Sequence, residues 1–170
     1  MTPRHWSERL SAREWGLVAT AIALLLDQGS KIALLYGFNF QGMRPGQAVH
    51  VLPFFNLVMM WNPGISYGLF PAHSLLGTLA LGLFSAVAVT ALSWWMWQAN
   101  RRPLTVGLGL VVGGALGNLI DRIIYGAVAD FFHFHAFGYD WYVFNVADAA
   151  IIFGVIALLY DALLRPDAQN

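Results

Sequence analysis

No cysteine occurs in the 170 residues, which excludes disulfides, thiolate nucleophiles and cysteine-ligated metals at once. Charge is scarce as well: nine basic and nine acidic residues make up 11% of the chain and cancel, so nothing points to nucleic acid as a partner. Internal repeats, low-complexity tracts, flexible linkers and a His-Glu-x-x-His zinc motif are also absent. Apolar sequence fills the chain instead, 58% of residues with a mean hydropathy of +0.60, against roughly 45–50% in a soluble domain. That composition belongs to an integral membrane protein.

Four runs approach the ~20 residues that cross a bilayer: Trp15–Tyr36, Ser74–Gln98, Leu104–Tyr125 and Tyr142–Leu164. They predict an all-α membrane protein, a four-transmembrane-helix bundle forming one domain over residues 1–170. Arg4, Arg9 and Arg13 precede the first run as they would in a cleaved signal peptide. The run continues through Asp27-Gln28-Gly29-Ser30-Lys31 into more apolar sequence, however, and is therefore a retained span. Arg101, Arg102 and Arg165 lie on the same side as the N-terminal arginines, and the opposite loops hold only Arg44, so both termini are expected in the cytoplasm. Trp94, Trp95 and Trp97 beside Arg101 form the expected inner aromatic belt. Of the two outer segments, Gly37–His73 is rich in β-branched and aromatic residues broken by Pro and Gly, which predicts short strands forming a small β-rich cradle on the bilayer. Gly126–Trp141, with Phe131, Phe132, Phe134 and Phe137 interleaved with His133 and His135, is expected to be a short interfacial helix.

Ionisable groups inside a membrane are costly and by default mark function. Here they gather toward one side. At 1.5 Å per residue, Asp27 lies about 18 Å, Lys31 about 24 Å and Asp121 about 26 Å from the cytoplasmic ends of their helices, and Asp148 enters about 9 Å from the other surface. The inner halves hold no acid except Asp161 in the last turn. A transmembrane ion path needs polar groups along its length, whereas these define one pocket near the outer face. Asp27 and Lys31 (i, i+4), Asn118 with Asp121 and Arg122 (i, i+3, i+4), and Asn145 with Asp148 (i, i+3) each share a helix face. Lys31 and Arg122 most simply neutralise Asp27 and Asp121 on their own helices. Asp130 and Asp148 are left without a cation. Two acids close together in low dielectric do not both ionise, so one keeps a proton while the other serves as base, the arrangement by which aspartic proteases activate water. Asp140 is also unpaired, and its place before the fourth helix suits a solvated surface acid.

Several features have plainer explanations. The Gly109, Gly113, Gly117 series needs only close helix packing. Asn118 and Asn145 suit interhelical hydrogen bonding as well as they suit active-site support. Gly64-Ile65-Ser66-Tyr67-Gly68 matches a nucleophile-elbow pattern but follows Asn62-Pro63 in a loop instead of a strand. Asp130, His133 and His135 could ligate a metal, yet histidines among phenylalanines at an interface fit amphipathic anchors.

At these residues the chain resembles the lipoprotein signal peptidase, or signal peptidase II, family. The resemblance rests on five motifs in order: Asp27-Gln28-Gly29-Ser30-Lys31, Asn62-Pro63-Gly64, Gly117-Asn118-Leu119-Ile120-Asp121-Arg122, Val128-Ala129-Asp130-Phe131 and Phe144-Asn145-Val146-Ala147-Asp148. The sequence departs from the family pattern at Ile65-Ser66-Tyr67, where Ala-Ala-Phe is usual, and at Ala149, where Ser is common. The resemblance implies that Asp130 and Asp148 are a catalytic dyad, and that Asp27, Lys31, Asn62, Asn118, Asp121, Arg122 and Asn145 shape and support the site. Gly64 lies close to it beside Asn62. It further implies hydrolysis of the bond before the lipidated cysteine of bacterial prolipoproteins, in the inner membrane, without metal or cofactor. The expected partners are those substrates and membrane lipids, with no nucleic acid, and the chain is expected to act as a monomer. The competing expectation is a small proton-coupled carrier or channel subunit, which would require acids at graded depths and a polar inner half.

Overall fold

The structure is a computed structural model that describes residues 10–44, 46–64 and 75–163; Arg4, Arg9, Ile65, Ser66, Tyr67, Ser74, Leu164 and Arg165 lie outside that set. Helix α1 (Ala12–Ile32) starts in a capping box: Ser11 Oγ accepts from the Glu14 N–H at 3.3 Å, and the Glu14 carboxylate accepts from the Ser11 N–H at 2.5 Å. It runs on into a π-type turn (Ala33–Gly37) and a short 3-10 turn (Phe40–Gly42). Helices α2 (Leu75–Gln98), α3 (Arg102–Tyr125) and α4 (Val146–Leu163) follow, and all four are long and apolar enough to cross a membrane.

Helix α3 is central, packed against each of the other three. Its glycines make this possible: a Cβ at Gly113 would come within 2.6 Å of the Thr20 carbonyl oxygen on α1, and one at Gly114 would strike the Ala147 carbonyl on α4. Gly126 then ends α3 in the left-handed conformation (φ 74°), returning its N–H to the Arg122 carbonyl. Helix α2 is apolar all round and buries only Met96 among its described side chains, as suits a helix facing lipid on most sides.

Strands β1 (Ala48–Leu52) and β2 (Phe55–Asn62) arise where the apolar outer segment predicts them. The second outer segment differs from expectation. Instead of an interfacial helix, residues 126–141 form strand β3 (Val128–Ala136) and the short β4 (Tyr139–Asp140), completing an antiparallel sheet in the order β1-β2-β3-β4. Backbone pairing decides this outcome: β2 pairs with β3 along most of its length, and the Phe131 and Phe132 N–H groups donate to the Phe144 carbonyl from the other side. Phe137 (φ 53°) and Gly138 (φ 81°) make the tight β3–β4 turn, two successive positive φ values that match the right-handed twist of the strands. Because Phe144 is held by β3, α4 begins at Val146 and not at Tyr142.

The sheet closes one end of the bundle. Ala129 and Phe131 of β3 pack on Leu35 and Phe40, the Phe40 and Phe131 rings meeting edge to face at 6.1 Å. Met96, Ala99, Leu104 and Leu108 form a separate cluster at the opposite end. There Asp161 is buried (2% exposed) and paired with Arg101 at 3.0 Å.

Candidate active site

The N-terminus of α4 builds one half of the site. Asn145 Oδ1 accepts from the Asp148 N–H at 2.9 Å while the Asp148 carboxylate accepts from the Asn145 N–H at 3.3 Å, a reciprocal cap that fixes the Asp148 side chain. Strand β3 builds the other half. Its pairing with β2 places Asn62 opposite Val128 and Met60 opposite Asp130, from where Asn62 Nδ2 reaches Asp130 Oδ2 at 3.1 Å. Asn145 joins the halves, donating from Nδ2 to Asp130 Oδ1 at 2.7 Å. Asn118 on α3 donates to Asp148 Oδ1 at 3.0 Å. Both asparagines therefore touch the acids as well as linking helices, so the two roles open at the level of sequence coexist. Among the described residues neither carboxylate has an ion-pair partner. Burial pushes the Asp130 carboxyl up to about 7, and the neighbouring Asp148 adds to the rise; hydrogen bonds from Asn62 and Asn145 and the charge of Lys31 oppose it.

The cations are arranged differently from the local pairing expected. Lys31 Nζ lies 2.8 Å from a carboxylate oxygen of both Asp27 and Asp121, and the three side chains are almost wholly buried. Arg122 does not pair with Asp121. Consecutive helical residues do not face each other, so Asp121 turns toward α1 while Arg122 turns toward α2, donating to the Asn118 and Gly64 carbonyls at 3.2 and 3.1 Å. Gln28 has a role that its adjacency to Asp27 does not reveal: its amide lies 3.1 Å from both Asp27 and Asp121. The available clue is a carboxamide inside an apolar span, where polar groups find partners or are avoided.

The site opens on a cleft of about 310 Å³ between α2, α3 and α4. Asp148, Asn62, Asn118 and Arg122 form its polar end, and Leu81, Phe84, Leu92 and Ile151 continue it as apolar wall. A second cleft of about 640 Å³ lies along the sheet beside Trp61, His133, Asp140 and Trp141, and Asn62 borders both. Strand alternation sends His133 and His135 to the face opposite Asp130, and His133 Nε2 instead meets the exposed Asp140 at 3.3 Å. Ser66 lies outside the described residues.

This fold recurs in solved membrane enzymes. A structure described as a bacterial membrane enzyme, determined in meso at 2.3 Å, superposes with a TM-score of 0.77 over 91% of both chains at 25% identity; a second, at 1.9 Å, gives 0.74 over 89% of this chain and 93% of its own at 27%. The family model for signal peptidase (SPase) II matches residues 19–164. Lipoprotein signal peptidases of Rhodopseudomonas palustris strain CGA009 and Nitrobacter hamburgensis are both 52% identical to the chain, covering 88% and 91% of it and 92% and 95% of themselves. The chain belongs to the signal peptidase II family.

Proposed function

We propose that the protein is an aspartic endopeptidase that removes the signal peptide from diacylglyceryl-modified prolipoproteins, cutting before the lipidated cysteine. One observation carries the aspartic chemistry: two carboxylates without an ion-pair partner, Asp130 buried and Asp148 partly buried, are held by one asparagine, and Asp148 lies at the polar end of a largely apolar cleft. Family membership supplies the substrate class. The pair carries one proton. Its ionised member takes a proton from water as the water oxygen attacks the scissile carbonyl, and its protonated member donates to the developing oxyanion. The tetrahedral intermediate collapses when the Asp that took the water proton passes it to the leaving amine nitrogen and the other Asp recovers its own proton as the carbonyl re-forms, so the pair again carries one proton. No metal or cofactor enters, and the single chain suffices. Arg13, Arg101 and Arg102 flank the bundle end opposite the sheet, which supports cytoplasmic termini and a site at the outer face of the inner membrane, where a diacylglyceryl anchor would hold the scissile bond. The clustering of acids beneath the sheet gives the carrier alternative no polar route.

The test is cleavage of a lipidated precursor by purified protein in detergent with EDTA present. Undiminished turnover is expected, and turnover that required added zinc would overturn the metal-free mechanism.

A pH dependence follows from Asp130. A carboxyl raised to about 7 is neutral below that value, so the singly protonated pair is lost as pH rises through it, and kcat/KM should fall on the alkaline side of neutrality. The same shift acts on stability. The unfolded carboxyl ionises near 4, so the folded state binds the extra proton between about 4 and 7, and its contribution to stability is lost as pH rises through about 7. The melting temperature of Asp130→Asn relative to wild type should therefore become more favourable between pH 5 and pH 8. A constant difference would show that Asp130 titrates normally.

The sheet acts, in this proposal, as a cradle over the lipid-bearing peptide. Trp61 supports it: 39% exposed, its ring tilted against that of Tyr125 with centroids 5.1 Å apart, it borders the outer cleft beside Asn62. Trp61→Ala should raise KM several-fold with only a small drop in melting temperature, since the ring is more than a third exposed and its aromatic pairing adds about 0.5–1.5 kcal/mol beyond the area it buries. A marked drop in melting temperature with wild-type kinetics in the folded fraction would make the segment scaffold only.

A further inference from the structure

The buried charges of α1 and α3 do more than neutralise one another. Asp27 Oδ1 accepts from the Ala147 N–H at 2.9 Å, and Ala147 immediately precedes Asp148. Asp121 Oδ2 accepts from the Ala129 N–H at 3.1 Å, and Ala129 immediately precedes Asp130. Each supporting carboxylate thus grips the backbone one residue ahead of one member of the dyad. Lys31 lies 2.8 Å from both carboxylates, and the Gln28 amide lies 3.1 Å from both. The parts are rigidly placed: Asp27 and Asp121 are fully buried, Lys31 is 2% exposed, and a Cβ at Gly117 would strike the Asp27 carboxylate. A charge cluster serving stability alone could take its remaining hydrogen bonds from any nearby donor. These take them from the two peptide groups that set where the dyad's side chains start.

We propose that Asp27, Lys31 and Asp121, with Gln28, form a brace that fixes the separation of Asp130 and Asp148 through the peptide groups preceding them. They are positioning residues. The inference rests on the dyad reading above, but its main readout does not depend on turnover. The coupling of two carboxyls depends on their distance, so a fixed, close pair titrates in two widely spaced steps and a loosened pair in two converging ones. The charges of Lys31, Arg122 and Asp27 also reach the pair, so the geometric effect is read by comparing each Leu variant with the Asn variant at the same position, which removes the same charge but keeps the acceptor, and from Gln28→Met, which alters no charge.

The experiment is an infrared titration of the carboxyl band in ¹³C-aspartate-labelled protein in detergent, with Asp130→Asn and Asp148→Asn identifying the dyad's signals. It is run alongside kcat, KM and thermal unfolding. Asp27→Leu or Asp121→Leu removes the acceptor at similar size, whereas Asp27→Asn or Asp121→Asn keeps an oxygen for the peptide N–H. In the Leu variants the two steps should converge and kcat should fall at least about 100-fold with KM within twofold. The Asn variants should keep the spacing and lose less than about tenfold. Gln28→Met, which leaves every charge in place, guards against a Leu variant that fails to fold: it should narrow the spacing measurably. Wild-type spacing in the folded Leu variants, or in Gln28→Met where those do not fold, overturns the brace. Wild-type protein that shows two spaced steps yet does not cleave lipidated precursor would overturn the peptidase proposal and leave the brace standing.

Discussion

Asp130→Asn and Asp148→Asn should each lower cleavage of a lipidated precursor by about 10⁴-fold or more, and the double variant should be little worse than either single. Removing one carboxyl removes either the base or the shared proton, and neither half of the dyad does its work alone; groups that act as a unit show this non-additivity. The fold should tolerate both changes. Asn145 donates to Asp130 and also to the Asn118 side chain and the Ala129 carbonyl, so it keeps partners when Asp130 is altered. At position 148 the side-chain oxygen of Asn can still accept from the Asn145 N–H and preserve the cap. The measurement is single-turnover cleavage beside thermal unfolding in one detergent. Either single variant retaining turnover within tenfold of wild type would dispose of the aspartic mechanism.

Much of this site is legible in the amino-acid sequence alone, because membranes make polar residues conspicuous. Asp27, Lys31, Asn118, Asp121, Asn145 and Asp148 stand out against apolar runs, and helical spacing groups several of them correctly. Two things are not legible there. Pairing between Lys31 and Asp121 depends on α1 and α3 lying side by side, a long-range packing fact; sequence adjacency suggests Arg122 instead, although neighbours on a helix point apart. The strand at 128–136 reads as an interfacial helix because aromatic and histidine residues suit both. Its fate is decided by β2, which lies some 70 residues earlier and supplies the hydrogen bonds. Asp130 illustrates the consequence: the sequence marks it as unpaired, but only the β2–β3 register shows that Asn62 is its neighbour.

Lys31→Met should be the most destabilising of the substitutions considered, by about 3–5 kcal/mol, because removing one partner of a buried ion pair leaves charge uncompensated in low dielectric. Here the loss is doubled. Asp27 and Asp121 share the one ammonium and are both buried, and Gln28 can offer them only an amide. A drop in melting temperature on the order of 10 °C is expected for a chain of this size. By contrast, Arg101 is half exposed and its loss strands one buried carboxylate, Asp161, instead of two, so Arg101→Met should cost less. Neutralising the remainder of the cluster provides the control. In the triple variant Lys31→Met, Asp27→Asn, Asp121→Asn no charge is left stranded, so most of the stability should return, as it does when buried ion pairs are replaced whole. Turnover should not return with it. The asparagines can still accept the Ala147 and Ala129 N–H groups, but the ammonium that ties the two acceptors together is gone, and the dyad is held at each end without being held as a pair. A Lys31→Met protein that melts within about 2 °C of wild type would show the cluster to be hydrated and its charges individually stable. A triple variant that recovers full turnover along with its melting temperature would show that the ammonium serves stability alone.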